Sequence, residues 1–303
     1  MMASLLWTVL LSTLLWAQTC KAVDETELGG LVANLLNVYR PTYQVHGDTP
    51  TFTLAVSIPY NPATRSYDLS QVTAVDDGQT VRNSLDNCEV YVGNRVIGAM
   101  VRKWPDVIQQ CPNAVVPTEW SFLSDVCPNF PLGLGTWDNL REECTNSINK
   151  KIAKSPNGAV DHAEYRVLQS FNHFVNMLNN GQLNRNDLML FYSYKSPCDS
   201  RCASLTNHFS IVQSITGINS WANHALVFSN IFVPTKTKFT PEQLEANRRT
   251  ALTNLGNAIQ GVGNIYRCRV GANRCTSCEV PTGVSNTCVS DNTRSRSTSP
   301  TGK

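Results

Sequence analysis

Two short segments carry side chains of the types that hold a catalytic metal ion. The first is His162-Ala163-Glu164 and the second is Pro197-Cys198-Asp199-Ser200-Arg201-Cys202. One imidazole and two thiolates are three zinc ligands, and a site with three protein ligands keeps its fourth position open for water or substrate. A neighbouring carboxylate can then carry a proton between water and substrate. The spacing predicts a catalytic Zn²⁺ site with His162, Cys198 and Cys202 as ligands and Glu164 as the general acid and base.

Each half of this constellation also has a purely structural interpretation. Asp161 and Glu164 fit a variant capping box at a helix start, and two cysteines in a secreted chain often form a disulfide. However, Glu164 continues an apolar stripe through Leu168 and Phe171, so its carboxylate should point inward. A charge there is costly without a metal or a partner, and we therefore favour the metal site.

The two segments should converge if each opens a helix. Apolar residues at helical spacing predict one amphipathic helix over 161–178. A buried strand over 188–194 is followed by Pro197, and we expect a second helix to begin with the cysteine segment. Side chains in a first helical turn lean back past the helix start, so two such ends can meet above one sheet edge.

The rest of the chain alternates between strand and helix patterns. Periodicity and capping signals predict a helix over 25–39, a half-buried strand over 51–58, a strand or hairpin over 89–101, a strand over 225–233, a helix from the Thr240 capping box to about 259, and a last strand over 266–270. This alternation predicts an α/β sandwich, with a central mixed sheet of about five strands flanked by helices.

An apolar run of 13 residues, Leu5 to Ala17, is too short to cross a membrane and is typical of a secretory signal peptide. Cleavage fits after Thr19 or after Ala22. The second choice removes Cys20 and leaves an even number of cysteines, so we expect a signal peptide over 1–22 and a secreted, extracellular protein without a transmembrane segment.

The cysteines outside the metal segment are candidates for disulfides: Cys88, Cys111, Cys127, Cys144, Cys268, Cys275, Cys278 and Cys288. They predict one large folded domain over 23–288, with a Cys/Pro-rich insertion at 102–157 and a disulfide-rich C-terminal part from 268. The last four could instead form a second zinc site. The polar tail over 289–303 should be disordered.

The formal net charge of +2 does not indicate a nucleic-acid binder. A local basic patch is possible at Lys236, Lys238, Arg248 and Arg249, although a solvated helix face explains the same residues.

At the metal segments the chain resembles the cytidine deaminase superfamily, and in particular the secreted AID/APOBEC-like deaminases. The superfamily signature is His-x-Glu with Pro-Cys-x-x-Cys, and here three residues instead of two separate the cysteines. Ser196-Pro197-Cys198 looks like the end of the family's Ser-Trp-Ser-Pro-Cys motif, with Tyr194 and Lys195 in place of Ser and Trp. The resemblance implies a cytidine-deaminase-like fold.

The resemblance also implies substrate contacts and an activity. Asn157 is placed like a substrate-contacting Asn of some members, although Pro156-Asn157-Gly158 is equally typical of a turn. Phe232 lies where the family recognises the base beside the target; Phe232 and Phe239 could stack on bases or simply pack. The implied reaction is hydrolytic conversion of cytosine to uracil on single-stranded DNA or RNA, in extracellular defence. Free cytidine or deoxycytidine is an alternative substrate, and a non-catalytic secreted zinc-binding protein is the alternative function.

Overall fold

The computed structural model describes residues 23–45, 47–125, 127–151, 160–178, 184–234 and 237–291. The predicted signal peptide, Asn157, Lys236 and the tail from residue 292 lie outside the described residues.

A mixed sheet of seven strands forms the centre of the fold. Its strands, in spatial order, are β11 (Thr276–Ser277), β10 (Ile265–Arg267), β9 (Asn223–Asn230), β8 (Leu188–Lys195), β1 (Phe52–Ile58), β5 (Val96–Met100) and β4 (Val90–Val92). β8, β9 and β10 are parallel, whereas β1 runs antiparallel to both of its neighbours. The predicted α/β fold with a central mixed sheet is confirmed. The count exceeds the expected five because β4 and β5 form a hairpin and short β11 covers the edge of β10.

Among the described residues, three further strand pairs lie outside this sheet: β2 (Tyr60–Asn61) with β3 (Ser66–Tyr67), β6 (Arg102–Lys103) with β7 (Val160–Asp161), and β12 (Glu279–Val280) with β13 (Gly283–Val284). The described α-helices are α1 (Glu25–Tyr39), α2 (Ser70–Thr73), α3 (Gly78–Asp86), α4 (Val107–Gln110), α5 (Trp137–Lys151), α6 (Ala163–Gln169), α7 (Phe171–Met177) and α8 (Pro241–Ala258).

Helices cover both faces of the sheet. One core contains apolar residues of α6, α7 and α8, and the other contains those of α1, α2 and α3. As a result, β1 is buried along its whole length. The expectation of a half-buried strand was wrong because the small and polar residues of its second face also lie under a helical layer. Thr53 bonds to Ser193 of β8, and Ser57 bonds to Asp187 just before that strand.

The helix predicted over 161–178 is two helices, α6 and α7, separated at Ser170. Ser170 leaves helical geometry with φ −101° and ψ 3° and becomes the N-cap position of α7. Serine is a weaker helix former than alanine or leucine, although the Ser170 side chain makes no capping bond here. The helix from Thr240 has the predicted capping box, in which Thr240 and Gln243 bond reciprocally.

The insertion has its own hydrophobic cluster, built around Trp104, Trp120 and Trp137. Disulfides Cys88–Cys111 and Cys127–Cys144 close it.

The C-terminal part is closed by disulfides Cys268–Cys275 and Cys278–Cys288, so these four cysteines do not form a second zinc site. Val289 is fully buried, and buried Arg267 binds Asp291 at 2.6 Å. The prediction of disorder from residue 289 was therefore wrong for residues 289–291, because an internal cation and the apolar core both hold them.

Within the part of the chain that is described, no helix has the length and hydrophobicity that a bilayer span requires.

Candidate functional site

The His162 half of the site lies where β7 gives way to α6. His162 is the N-cap residue of α6, with extended backbone and no capping bond from its side chain. The imidazole is therefore free to bind elsewhere. Asp161 lies before the cap and accepts a hydrogen bond from Trp120 Nε1 at 2.9 Å, so the capping-box interpretation of Asp161 and Glu164 was wrong.

The cysteine half is a series of turns between β8 and β9, not the start of a helix as predicted. The reason is the polar composition after Cys202, since Ser and Asn side chains offer the backbone alternative partners. Ser204 Oγ accepts from the amides of residues 206 and 207, and Asn207 Oδ1 accepts from the amide of Phe209. The turn still folds back on itself, because the Cys202 amide lies 3.4 Å from Cys198 Sγ.

These two halves bring three donor atoms together. His162 Nδ1 lies 3.2 Å from Cys202 Sγ and 3.8 Å from Cys198 Sγ, and all three donors lie within 4.8 Å of one another. A tetrahedral zinc ion with bonds of about 2.1 Å to nitrogen and 2.3 Å to sulfur places such ligands roughly 3.6–3.8 Å apart. The observed spacing fits a zinc ion with small adjustments of the side chains.

The two thiols are not equivalent. Both are buried, and both are free cysteines while the other eight described cysteines are paired. A hydrogen bond from the Cys202 thiol, helped by His162, holds the pKa of Cys198 well below its usual range. A lowered pKa favours the thiolate at Cys198, and the thiolate is the form in which cysteine binds metal.

Glu164 lies in the first turn of α6 with 2% of its surface exposed. Its Oε1 accepts a hydrogen bond from Ser193 Oγ at 3.0 Å, whereas Oε2 is buried with no partner among the described residues. Burial raises the pKa of this carboxyl, and the charge of His162 partly offsets the effect. A buried carboxylate oxygen normally has a hydrogen-bond partner, and Glu164 Oε2 lacks one among the described residues. Water or substrate could occupy this position and exchange a proton with Oε2, as a general acid and base requires.

Of the predicted substrate contacts, only Phe232 lies among the described residues beside the site. Phe232 is half-buried and lines a small cleft together with Cys198 and Arg248. Phe239 is 53% exposed on the following loop.

The predicted basic patch is largely engaged elsewhere. Arg248 donates to the Val289 carbonyl at 2.9 Å, and Arg249 donates to the Val284 carbonyl and to Asn286. Both arginines hold the C-terminal part in place. Neither interpretation made from the sequence, a nucleic-acid-binding patch or a solvated helix face, included this role.

Three residues at the site were missed from the sequence. They are Ser193, which binds Glu164; Trp120, which binds Asp161; and Arg201, whose Nη1 donates to the Val160 carbonyl at 3.2 Å. The only available signal was a serine inside the apolar run of β8, since a polar residue in a buried strand needs a partner.

Comparison with known proteins gives one match. The sequence profile of the family described as Secreted Novel AID/APOBEC-like Deaminase 1 matches residues 139–292, a span that includes both halves of the site. No curated protein and no solved structure matches the chain significantly. The match covers half of the chain and agrees with the resemblance at the His-x-Glu and Pro-Cys segments, so the chain belongs to the Secreted Novel AID/APOBEC-like Deaminase 1 family.

Proposed function

We propose that this chain is a zinc-dependent deaminase that converts cytosine to uracil in single-stranded nucleic acid outside the cell. Family membership suggests deaminase activity and secretion. The observation that carries the zinc-dependent reaction is Glu164, a buried carboxylate with one bound and one unpartnered oxygen beside three convergent donors.

His162, Cys198 and Cys202 would hold the zinc ion, which when bound supplies Lewis-acid activation of water. The chain's own contribution is proton transfer. Glu164 would accept one proton from water through Oε2 and deliver it to the ring nitrogen of cytosine. It would then take the remaining proton from the newly added hydroxyl and pass it to the departing amine, so that the hydroxyl becomes the carbonyl of uracil. Water adds at the ring carbon, the carbon–nitrogen bond to the amino group breaks, and ammonia leaves.

Ser193 would keep Glu164 in the orientation that this transfer requires. Its one hydroxyl proton is shared between two acceptors, Glu164 Oε1 at 3.0 Å and the Lys195 carbonyl at 2.8 Å, and its oxygen accepts from Thr53 Oγ1 at 3.4 Å. Because all three partners belong to elements of the sheet or of α6, the carboxylate has little freedom to rotate. Oε2 would then be the oxygen that carries the proton.

The choice of a phosphate-bearing substrate is supported by Lys195. Residues at i and i+2 of a strand share a face, so Lys195 lies on the same face of β8 as Ser193. It is half-buried at the strand end, and its ammonium makes no ion pair with any described carboxylate. A cation in this position can bind a substrate phosphate, which free cytidine lacks. Phe232 offers an apolar surface for a neighbouring base.

The test is a deamination assay with zinc-loaded mature protein on single-stranded DNA, single-stranded RNA and cytidine. Uracil and ammonia should appear from at least one single-stranded polymer and should disappear with Glu164→Gln. Turnover of cytidine alone would favour the nucleoside reaction. No product from any substrate by protein that holds one zinc per chain would leave only the non-catalytic alternative.

A further inference from the structure

The strand that precedes His162 is held by the insertion. β7 consists of Val160 and Asp161, and it pairs antiparallel with β6, in the register Arg102 with Asp161 and Lys103 with Val160. β6 opens the insertion, so the ligand-bearing end of α6 is joined by a backbone ladder to a unit that supplies no zinc ligand.

A side-chain contact fixes the residue adjacent to the ligand. Trp120 is 3% exposed, and its indole packs against Trp137 at a ring-centroid distance of 5.0 Å. Its Nε1 donates to Asp161 Oδ1 at 2.9 Å. The acceptor is the chain neighbour of His162, so this bond restrains the residue next to the imidazole.

A second contact holds the other side of α6. Arg166 is buried, and its Nη2 donates to the Cys88 carbonyl at 2.7 Å, while Arg102 Nη2 donates to the same oxygen at 2.8 Å. Arg166 is enclosed, with 8% of its surface exposed, and burial together with the charge of Arg102 lowers its pKa. Cys88 is itself tied to Cys111 of the insertion by a disulfide.

We propose that the insertion positions His162 for metal binding, and that Trp120 and the Cys88–Cys111 disulfide set zinc affinity without being ligands. This inference rests on the proposed zinc site. The physical reason is that His162 must meet two cysteines from a different segment. Any conformational freedom at the β7–α6 junction would be lost when zinc binds, and this loss of entropy would lower zinc affinity. Outer partners of metal ligands typically change metal affinity by about 10- to 100-fold.

The decisive comparison is between two tryptophans of the same cluster. Trp120→Phe removes the N–H that binds Asp161. Trp137→Phe removes a similar volume from a fully buried side chain whose Nε1 has no partner among the described residues. Zinc dissociation constants are measured by competition with a chromophoric chelator, together with the melting temperature of each metal-free variant. We expect roughly a tenfold weaker zinc affinity for Trp120→Phe and less than a twofold change for Trp137→Phe.

A second pair of variants keeps the test independent of packing. Asp161→Asn retains an oxygen that can accept from Trp120 and should bind zinc nearly as well as the wild type, whereas Asp161→Leu should match Trp120→Phe.

The role of the Cys88–Cys111 disulfide is tested by replacing both cysteines with serine, which should also weaken zinc binding. Replacement of Cys127 and Cys144 should weaken zinc binding less, because that disulfide does not include the residue whose carbonyl binds Arg166.

The outcomes separate the two proposals. A wild-type protein that fails to bind zinc refutes the proposed metal site itself. A wild type that binds zinc, with equal affinities for Trp120→Phe and Trp137→Phe, overturns the positioning role alone. Affinities that merely follow the melting temperatures of the variants would also overturn it.

Discussion

Ser193 Oγ donates to Glu164 Oε1 at 3.0 Å across the interface between β8 and α6, while Glu164 Oε2 is left buried and unpartnered. A single hydroxyl thus distinguishes the two oxygens of the only buried carboxylate beside the described metal donors. In the proposed reaction, Oε1 would orient the carboxylate and Oε2 would carry the proton.

Ser193→Ala should lower kcat for cytosine deamination by roughly tenfold, because a misplaced catalytic group costs rate more than binding. KM and zinc content should change little. The matched control is Ser229→Ala, which removes another buried hydroxyl of the sheet that binds Tyr192 at 2.8 Å. Recovery of activity in Ser193→Thr would support the hydroxyl's role, whereas equal losses in both alanine variants would indicate a general packing effect.

Glu164→Gln should abolish deamination, with a loss of at least about 10²–10⁴-fold, since the amide cannot accept and return the proton. The variant should retain zinc, and its melting temperature should equal or exceed that of the wild type, because a neutral amide avoids the burial that raises the pKa of this carboxyl. Exposed Glu142→Gln is the control. A fall in melting temperature together with loss of zinc would instead assign Glu164 a structural role.

After a chelator has removed zinc and the protein has been denatured without reductant, two thiols per chain should react with a thiol reagent. The structure leaves Cys198 and Cys202 free and pairs the other described cysteines. Air oxidation of the metal-free protein should then link these two residues, because their sulfur atoms lie within 4.8 Å of each other. Thiol titration and peptide mapping measure both results. Four or more reactive thiols would contradict the disulfide pattern.

Lys195→Ala should raise KM for a single-stranded oligonucleotide several-fold and reduce the dependence of binding on salt by about one phosphate contact. Turnover of free cytidine, if it occurs, should be unaffected. Lys238→Ala, on the loop before α8, tests whether the effect is specific to the strand end. An unchanged salt dependence in Lys195→Ala would remove the argument for a phosphate-bearing substrate.

The mature N-terminus should be Val23. Cleavage there removes Cys20 and leaves ten cysteines, which is the number that the structure divides into four disulfides and two thiols. Val23 is also buried in the core on the α1 side of the sheet, so cleavage after Val23 would remove a core residue. N-terminal sequencing of protein from culture medium decides, and a start at Cys20 would contradict the prediction.

The sequence alone predicted the class of fold, which is confirmed, and a chemistry for the site, which stays a prediction. Donor types and their spacing are local properties, and so are the period of α1 and the capping box of α8. Those features were enough to predict an α/β fold with a central mixed sheet, His162, Cys198, Cys202 and Glu164 as the site, and the family resemblance.

The tertiary structure decided everything that depends on pairs of residues distant in the chain. Eight cysteines allow roughly a hundred pairings, and no local pattern chooses among them. The partner of Glu164 is 29 residues away and the partner of Asp161 is 41 residues away. The predicted cysteine helix failed for a related reason, since side-chain bonds after Cys202 compete with helical ones. Such contacts form only when the sheet order brings β8, α6 and the insertion together, and that order is set by the packing of the whole core.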